Sequence, residues 1–444
     1  MTSRPLTTDA IAIWRAGVAA VDSQRLVTQT IRRSGHHLTI GETQLDLAKV
    51  RRILVVGGGK AGAGMAAGVE TALGADVVRE KVTGWVNVPA DCVRPLQRIT
   101  LHAARPAAVN EPTAAGIAGV EHILNLVATA TEDDVILVLI SGGGSALLPA
   151  PIPGITLDDK LAVTRILAGA GATIQELNAV RTRLSRIKGG GLLRAIPAGR
   201  VFVLIISDVI GDPLDVIASG PTVPSSGHID PLSVLQKYDP DHARIAPHIW
   251  QAVESRTTEG RGDPNVFATH QIIGNNQTAL TAAAAKAAEL GYEVRNLGTD
   301  QAGIAREISV EFAERCRQEL QIASRPVCLL SGGEPVVRLA TTEEPRKGGR
   351  NQELVLAAGL HLWDDDWSRL VILSGGTDGE DGPTDAAGAW FDADVRNQAE
   401  KLKLDPQACL AINNTYPFFA QSGGLLLTGP THTNVMDVRV GLIG

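Results

Sequence analysis

Residues 53–66 read ILVVGGGKAGAGMA: an unbroken apolar run that enters a glycine cluster carrying one lysine. A continuous apolar run is the mark of a strand covered on both faces, as in a parallel sheet. The same unit recurs along the chain, with strands expected at 84–88, 97–101, 135–140 and 201–206. Helical patterns fall between and after them, at 60–73, 112–128, 157–170 and 175–184. The third starts cleanly, with Thr156 as N-cap and Asp158 and Asp159 in its first turn, where carboxylates suit the helix dipole. Such alternation predicts a doubly wound α/β domain.

A polar stretch at 257–265, TTEGRGDPN, reads as a linker. Beyond it strands are expected at 270–274, 292–297, 327–330, 336–339, 370–374, 425–428 and 435–440, with helices at 276–290, 302–323 and 351–362. Two α/β domains follow: a Rossmann-like αβα sandwich over 1–256 and a smaller domain with a mixed sheet over 265–444. A length of 444 residues is ample for both.

Composition narrows the function. At 44% apolar and 20% charged the chain is neither disordered nor fibrous. A net charge of −7 and only 3% aromatics argue against a nucleic-acid or anionic-membrane surface. No apolar run is long enough to span a bilayer. The N-terminus shows helical spacing at Ile11, Trp14, Val18 and Val21 rather than a signal peptide. Cys92, Cys316, Cys328 and Cys409 lie far apart without a CxxC pair, as reduced thiols in the cytoplasm do.

Glycine, at 47 residues, exceeds the average share of about 7%. Much of it follows strands: GGGKAGAG (57–64), SGGGSALL (141–148), SDVIGDP (207–213), SGGEP (331–335), GGRNQE (348–353) and SGGTDGEDGPTD (374–385). Ligands of open α/β sheets bind at the carboxyl ends of strands, where glycine lets backbone approach an anion. One such turn is explained by local geometry alone. Six, several with Lys, Arg, Ser or Asp, favour a polyanionic ligand between two domains.

Gly57, Gly59 and Gly62 match G-x-G-x-x-G. A dinucleotide site also needs an acid at the end of the second strand, and that strand ends Asn87–Val88–Pro89, with no acid before Asp91. Lys60 is not followed by Ser or Thr, so a Walker A loop fails too. A nonstandard phosphate loop with a lysine fits best. Arg350 opens a helix after Gly348–Gly349, where a cation opposes the dipole unless an anion sits there. Lys188 precedes three glycines; Arg181 reads equally well as part of a solvated helix face. Candidate carboxylates are Asp208, Asp212, Glu334, Asp378, Glu380, Asp381 and Asp385. Asp208, directly after a strand, is where a base or Mg²⁺ ligand belongs. For Asp378 and Asp381, Asp-Gly turn chemistry is the competing account. His102 and His432 border strand ends; no pair of histidines has metal-ligand spacing.

Seven stretches together resemble the class II glycerate kinases, the glycerate 2-kinase family whose C-terminal half is called MOFRL. They are VVGGGKAGAGMA (55–66), ISGGGSALLPAP (140–151), LNAVRTRLSRIKGGGLLRA (177–195), ISDVIGDPLDVIASGPTVP (206–224), GGRNQELVLAAG (348–359), LSGGTDGEDGPTDAAGA (373–389) and TGPTHTNVMDVRV (428–440). The resemblance implies transfer of the ATP γ-phosphoryl group to D-glycerate, giving 2-phosphoglycerate, with a divalent cation. It also implies catalytic roles for Lys60 and Arg350. Segment 102–112, HAARPAAVNEP, departs from the family's GHPxPD-like pattern.

The reading that results places ATP and D-glycerate between the two domains, with Lys60, Arg350 and Asp208 catalytic. ATP contacts are expected from Gly58, Gly59, Ser141, Gly142, Gly143, Gly144, Ser145, Lys188, Asn351 and Glu353. Arg181 and Glu334 are expected at the acceptor, and Asp208, Asp378 and Asp381 at Mg²⁺. Which loop takes which anion is left open, as is a homo-oligomer; nucleic acid and membrane are not expected partners. The alternative is an NAD(P)H-dependent hydroxypyruvate reductase, against which the missing ribose acid speaks.

Overall fold

The computed structural model describes residues 5–107, 111–224, 229–258 and 263–444. The chain forms two compact units, one of residues 23–273 and one joining 1–22 to 274–444.

In the first unit a six-stranded sheet runs in the order Ile99–Arg105, Val82–Pro89, Ile53–Gly58, Val135–Ser141, Arg200–Ile206 and Ala268–Gly274. The first five strands pair in parallel. That is the 3-2-1-4-5-6 order of Rossmann sheets, whose switch point lies between the strands at 53–58 and 135–141. Ile53–Val56 and Val135–Ile140 are fully buried, as their continuous apolar sequence requires. The expected helices occur as Gly62–Leu73, Ala114–Val127, Leu157–Gly169 and Ile174–Arg183. Thr156 and Asp159 form a reciprocal capping box at the third. A small antiparallel meander, Ile31–Ser34, His37–Ile40 and Thr43–Asp46, was not foreseen; its strands are too short to show periodicity.

The second unit carries a mixed sheet in the order Glu293–Asn296, Val327–Gly333, Asp437–Ile443, Leu370–Gly376, Gly388–Phe391 and Leu425–Leu426. Only the first pair is parallel; Asp437–Ile443 runs antiparallel to both neighbours. The expected strand at 336–339 is absent. Residues 336–339 belong to a loop, and Val336 makes one isolated bridge to Ile304.

The units divide the chain differently from the expected 1–256 and 265–444. Helix Leu6–Ala20 buries Ala10, Ile13, Trp14 and Gly17 in the second unit. A side chain at Gly17 would come within 3.0 Å of the Ala279 carbonyl oxygen, so glycine lets this helix cross Asn276–Glu289 closely. Trp14 donates its indole N–H to the Gly375 carbonyl at 3.1 Å. Strand Ala268–Gly274, expected to open the second domain, instead finishes the first sheet. The stretch 257–265 is therefore internal to the first unit: helix Pro247–Thr258 enters it, and residues 259–262 of it lie outside the described residues. Among the described residues no helix is long and apolar enough to cross a membrane.

Candidate active site

At the switch point of the first unit two glycine turns lock together. Lys60 donates its backbone N–H to the Gly142 carbonyl at 2.8 Å, and Ala61 N–H reaches Ser141 Oγ at 3.0 Å. Gly59 has φ +154°, and a Cβ there would lie 2.0 Å from Ser141 Oγ. No other residue fits that crossing. Gly62, Gly64 and Gly68 serve a different purpose. Side chains on them would strike Val86, Ser23 and Val27 respectively, so the later glycines of this motif are packing residues. Lys60 is half-buried, and its aliphatic stem lies 3.4 Å from where a Cβ on Gly143 would be, with Arg105 3.6 Å from the same point.

Behind this turn, cations converge on Ser145. Lys188 Nζ donates to Ser145 Oγ at 2.5 Å and Ser219 Oγ at 3.3 Å. Arg181 Nη2 reaches the same Ser145 Oγ at 2.8 Å. Lys160 Nζ donates to the Arg181 and Leu184 carbonyls at 3.4 and 3.0 Å. Lys188 is buried; loss of hydration, then the nearby Arg181 and Lys160 charges, holds its ammonium well below the usual lysine range. Burial lowers Arg181 as well; the residue is half-buried and turns its guanidinium inward to Ser145. Opposite them, Ala218, Ser219 and Gly220 all have positive φ, 51°, 63° and 58°. Two non-glycine residues in that conformation are costly, and the result aims the Ser219 hydroxyl at Lys188. An anion placed among these groups relieves their mutual repulsion.

In the second unit Arg350 begins helix Arg350–His361. Its guanidinium grips Asp437 with Nε at 2.7 Å and Nη2 at 2.9 Å, and reaches Glu334 with Nη1 at 2.8 Å. Asp437 is fully buried, while the Arg350 side chain keeps 27% exposure. Despite burial, Asp437 and then Glu334 raise the Arg350 pKa further. Burial raises Glu334 against the pull of Arg350. Asp381 accepts from the N–H groups of Asn351 and Gln352 at 3.0 and 2.8 Å. Burial nevertheless pushes its carboxyl up to about 6. The anions that reconcile Arg350 with the helix dipole are thus the protein's own.

The MOFRL family profile matches residues 327–437, and a domain of unknown function, DUF4147, matches 9–254. The glycerate kinase of Danio rerio is 37% identical, covering 99% of this chain and 98% of its own. The D-glycerate 2-kinase of Thermotoga maritima is 34% identical over 98% and 97% of the two chains. This chain belongs to the MOFRL glycerate kinase family. A solved Thermotoga maritima glycerate kinase superposes with a TM-score of 0.82 at 33% identity, covering 99% of both chains. A Pyrococcus horikoshii protein gives 0.77 at 29% identity, covering 100% of this chain and 99% of its own.

Within this glycerate kinase fold the expected residues separate. Gly58, Gly59, Ser141, Gly142, Gly143, Gly144 and Ser145 form one interlocked structure with Lys60, and Arg181 and Lys188 adjoin it. Ser141 is buried and spent on Ala61. Asn351 is also buried, bonded to Asp381 and Ser374, and shapes the helix start. Glu353 is held by Arg306 at 2.8 Å and Asn413 at 2.7 Å. Asp208 is half-buried just past strand Arg200–Ile206. Asp378 lies near Asp437, both carboxylates within 3.4 Å of a Cβ built on Gly376. His102 bonds the Ala115 carbonyl, a structural duty. Arg105, Ser219 and Asp437 were missed. Asp437 and Arg439 share one face of the otherwise apolar strand Asp437–Ile443, and that period-two pair of charges was the available signal.

Proposed function

We propose that the protein transfers the γ-phosphoryl group of ATP to the 2-hydroxyl of D-glycerate. The carrying observation is the cluster of buried Lys188 with half-buried Arg181 and Lys160 beside the Lys60 turn, at the end of a Rossmann sheet where anions bind. Phosphoryl transfer asks mainly for positioning and neutralised charge. Lys60 supplies a charge on a turn fixed by Gly59 and Ser141, so it needs little reorganisation. Arg350 supplies a second, held by Asp437 while its exposed edge stays available. The Ser145 cluster takes the glycerate carboxylate or a phosphate.

Mg²⁺ on the ATP phosphates would neutralise charge that develops in transfer. Among the described residues no group of three or more His, Cys, Asp or Glu is arranged to hold a metal. That donor set suits a cation carried in on phosphate, which needs one or two carboxylates. Asp208 is our candidate in the first unit and Asp378 in the second. Asp381, with both oxygens turned to the helix N–H groups, is withdrawn from that list. Cys92, Cys316, Cys328 and Cys409, none joined in a disulfide, fit a cytoplasmic setting for the reaction.

The dehydrogenase alternative lacks its acid. Near its end strand Val82–Pro89 carries buried Asn87, whose amide donates to the Gly116 and Leu147 carbonyls at 3.1 and 2.8 Å; Asp91 sits beyond, on the turn Ala90–Cys92. A paired assay tests the proposal: ATP, Mg²⁺ and D-glycerate with 2- and 3-phosphoglycerate resolved, against NAD(P)H with hydroxypyruvate. ATP-dependent 2-phosphoglycerate is expected. NAD(P)H oxidation alone would overturn it.

A further inference from the structure

The expected strand at 336–339 failed to form, and its apolar residues are left outside any core. Val336 is 59% exposed and Leu339 63% exposed. With Pro335, Val337 and Pro383 they wall a cavity of about 470 Å³ in the second unit. Its other end is made by Gly348, Gly349, Gly382 and Arg350. Small-molecule sites run from roughly 300 to 1,000 Å³, apolar along the walls with a few polar groups at one end.

The wall is held in shape. Asn413, at φ 57°, accepts from Ala340 N–H at 2.7 Å and donates to the Arg338 carbonyl at 3.2 Å. Arg346 closes the loop on the Ala340 carbonyl at 2.7 Å. A strained asparagine and an arginine thus fix a loop that would otherwise have no reason to show water two large aliphatic side chains.

We propose that this cavity takes the adenosine of ATP, with the base between Val336, Leu339 and Pro383 and the phosphates toward Arg350. The proposal rests on ATP being the phosphoryl donor. A planar heterocycle gains from covering aliphatic surface. Glycerate, a three-carbon hydroxy acid, has almost no apolar surface to bury, and its carboxylate would lose hydration there without return. At the Arg350 end Gly348, Gly349 and Gly382 pack closely on Thr415, Asp381 and the Gly348 carbonyl, so backbone rather than side chain lines that part of the cavity. The donor's base is thereby assigned to the MOFRL unit and not to the G-x-G-x-x-G turn of the first unit.

Two measurements test it. The unaltered protein is irradiated with 8-azido-ATP and the labelled peptide sequenced; label is expected within 335–349 or at 382–383. Label confined to 57–64 or 141–148 overturns the proposal. Val336→Asp and Leu339→Asp each place a carboxylate against the base. Each is expected to raise the KM for ATP about tenfold or more, a loss of about 1.4 kcal/mol, with the KM for D-glycerate within twofold. An unchanged KM for ATP, or a rise in the KM for D-glycerate instead, overturns it. A wild-type protein that takes the label in 335–349 but makes no phosphoglycerate would remove the donor reading and leave the pocket standing.

Discussion

Lys60 and Arg350 stand in opposite circumstances. Lys60 rides on a turn whose backbone is fixed by Gly142 and Ser141, so its side chain can be removed without disturbing the fold. Lys60→Ala is expected to melt like the parent and to lose about 10²–10³-fold in kcat, as loss of one preorganised charge does. Arg350 has a structural share, because Asp437 is fully buried against it. Arg350→Ala leaves that carboxylate unpaired, so a cost of about 3–5 kcal/mol in stability is expected alongside the loss of kcat. Arg350→Lys cannot make the two-pronged bond and should recover little of either. Denaturation curves and steady-state kinetics on the three variants separate these effects. Lys188 gives a pH signature. An ammonium with a lowered pKa binds anions below that pKa and releases them above it. The KM of the ligand seated there is expected to climb as pH rises through that lowered pKa, short of the usual lysine range, and Lys188→Met to flatten the climb.

Elements were legible where one force decides them. The strands at 53–58, 135–141 and 200–206 are continuous apolar runs in the sheet interior, and sequence shows them directly. Thr156 likewise declares its helix. The strand expected at 336–339 has apolar residues of the right kind, but only Val336 pairs, in a single bridge to Ile304, and none of the four joins the sheet. Arg350 shows the same limit for the site: the sequence revealed a cation at a helix start, while its partner Asp437 lies 87 positions away. Asp381 caps that helix from a loop, again invisible in sequence order. Its folded-state pKa of about 6 lies above the 3.8 of an ordinary aspartate, so the folded state binds the proton more tightly. Stability from this group is present below about pH 4 and is lost as pH rises through about 6. Asp381→Asn should remove that slope from melting temperatures measured over this range. If the slope is unchanged, the group is not what sets it.

The molecule as a whole is interleaved: its first helix completes the unit that ends it. Trp14, 1% exposed, packs there and bonds Gly375. Trp14→Ala is expected to cost about 3–5 kcal/mol, and residues 274–444 produced alone should be unstable unless 1–22 are supplied. Melting of residues 274–444 with and without the 1–22 peptide decides it. Interleaving is hard to see in sequence because linkers advertise themselves by composition, whereas a helix does not advertise which distant surface it covers.

The position of strand Asp437–Ile443 has one more consequence. It is a central strand of its sheet, and it follows the other described strands of both units along the chain. Helix Leu6–Ala20 is made well before the surface it covers, whereas the Ser23–Ile273 unit has its strands before Asp437–Ile443 is made. A nascent chain therefore assembles its Lys60 turn while the Arg350 unit still lacks both Asp437 and the middle of its sheet. Truncation just before Asp437 should give a half-folded product with a sound first unit and an open, aggregation-prone second one.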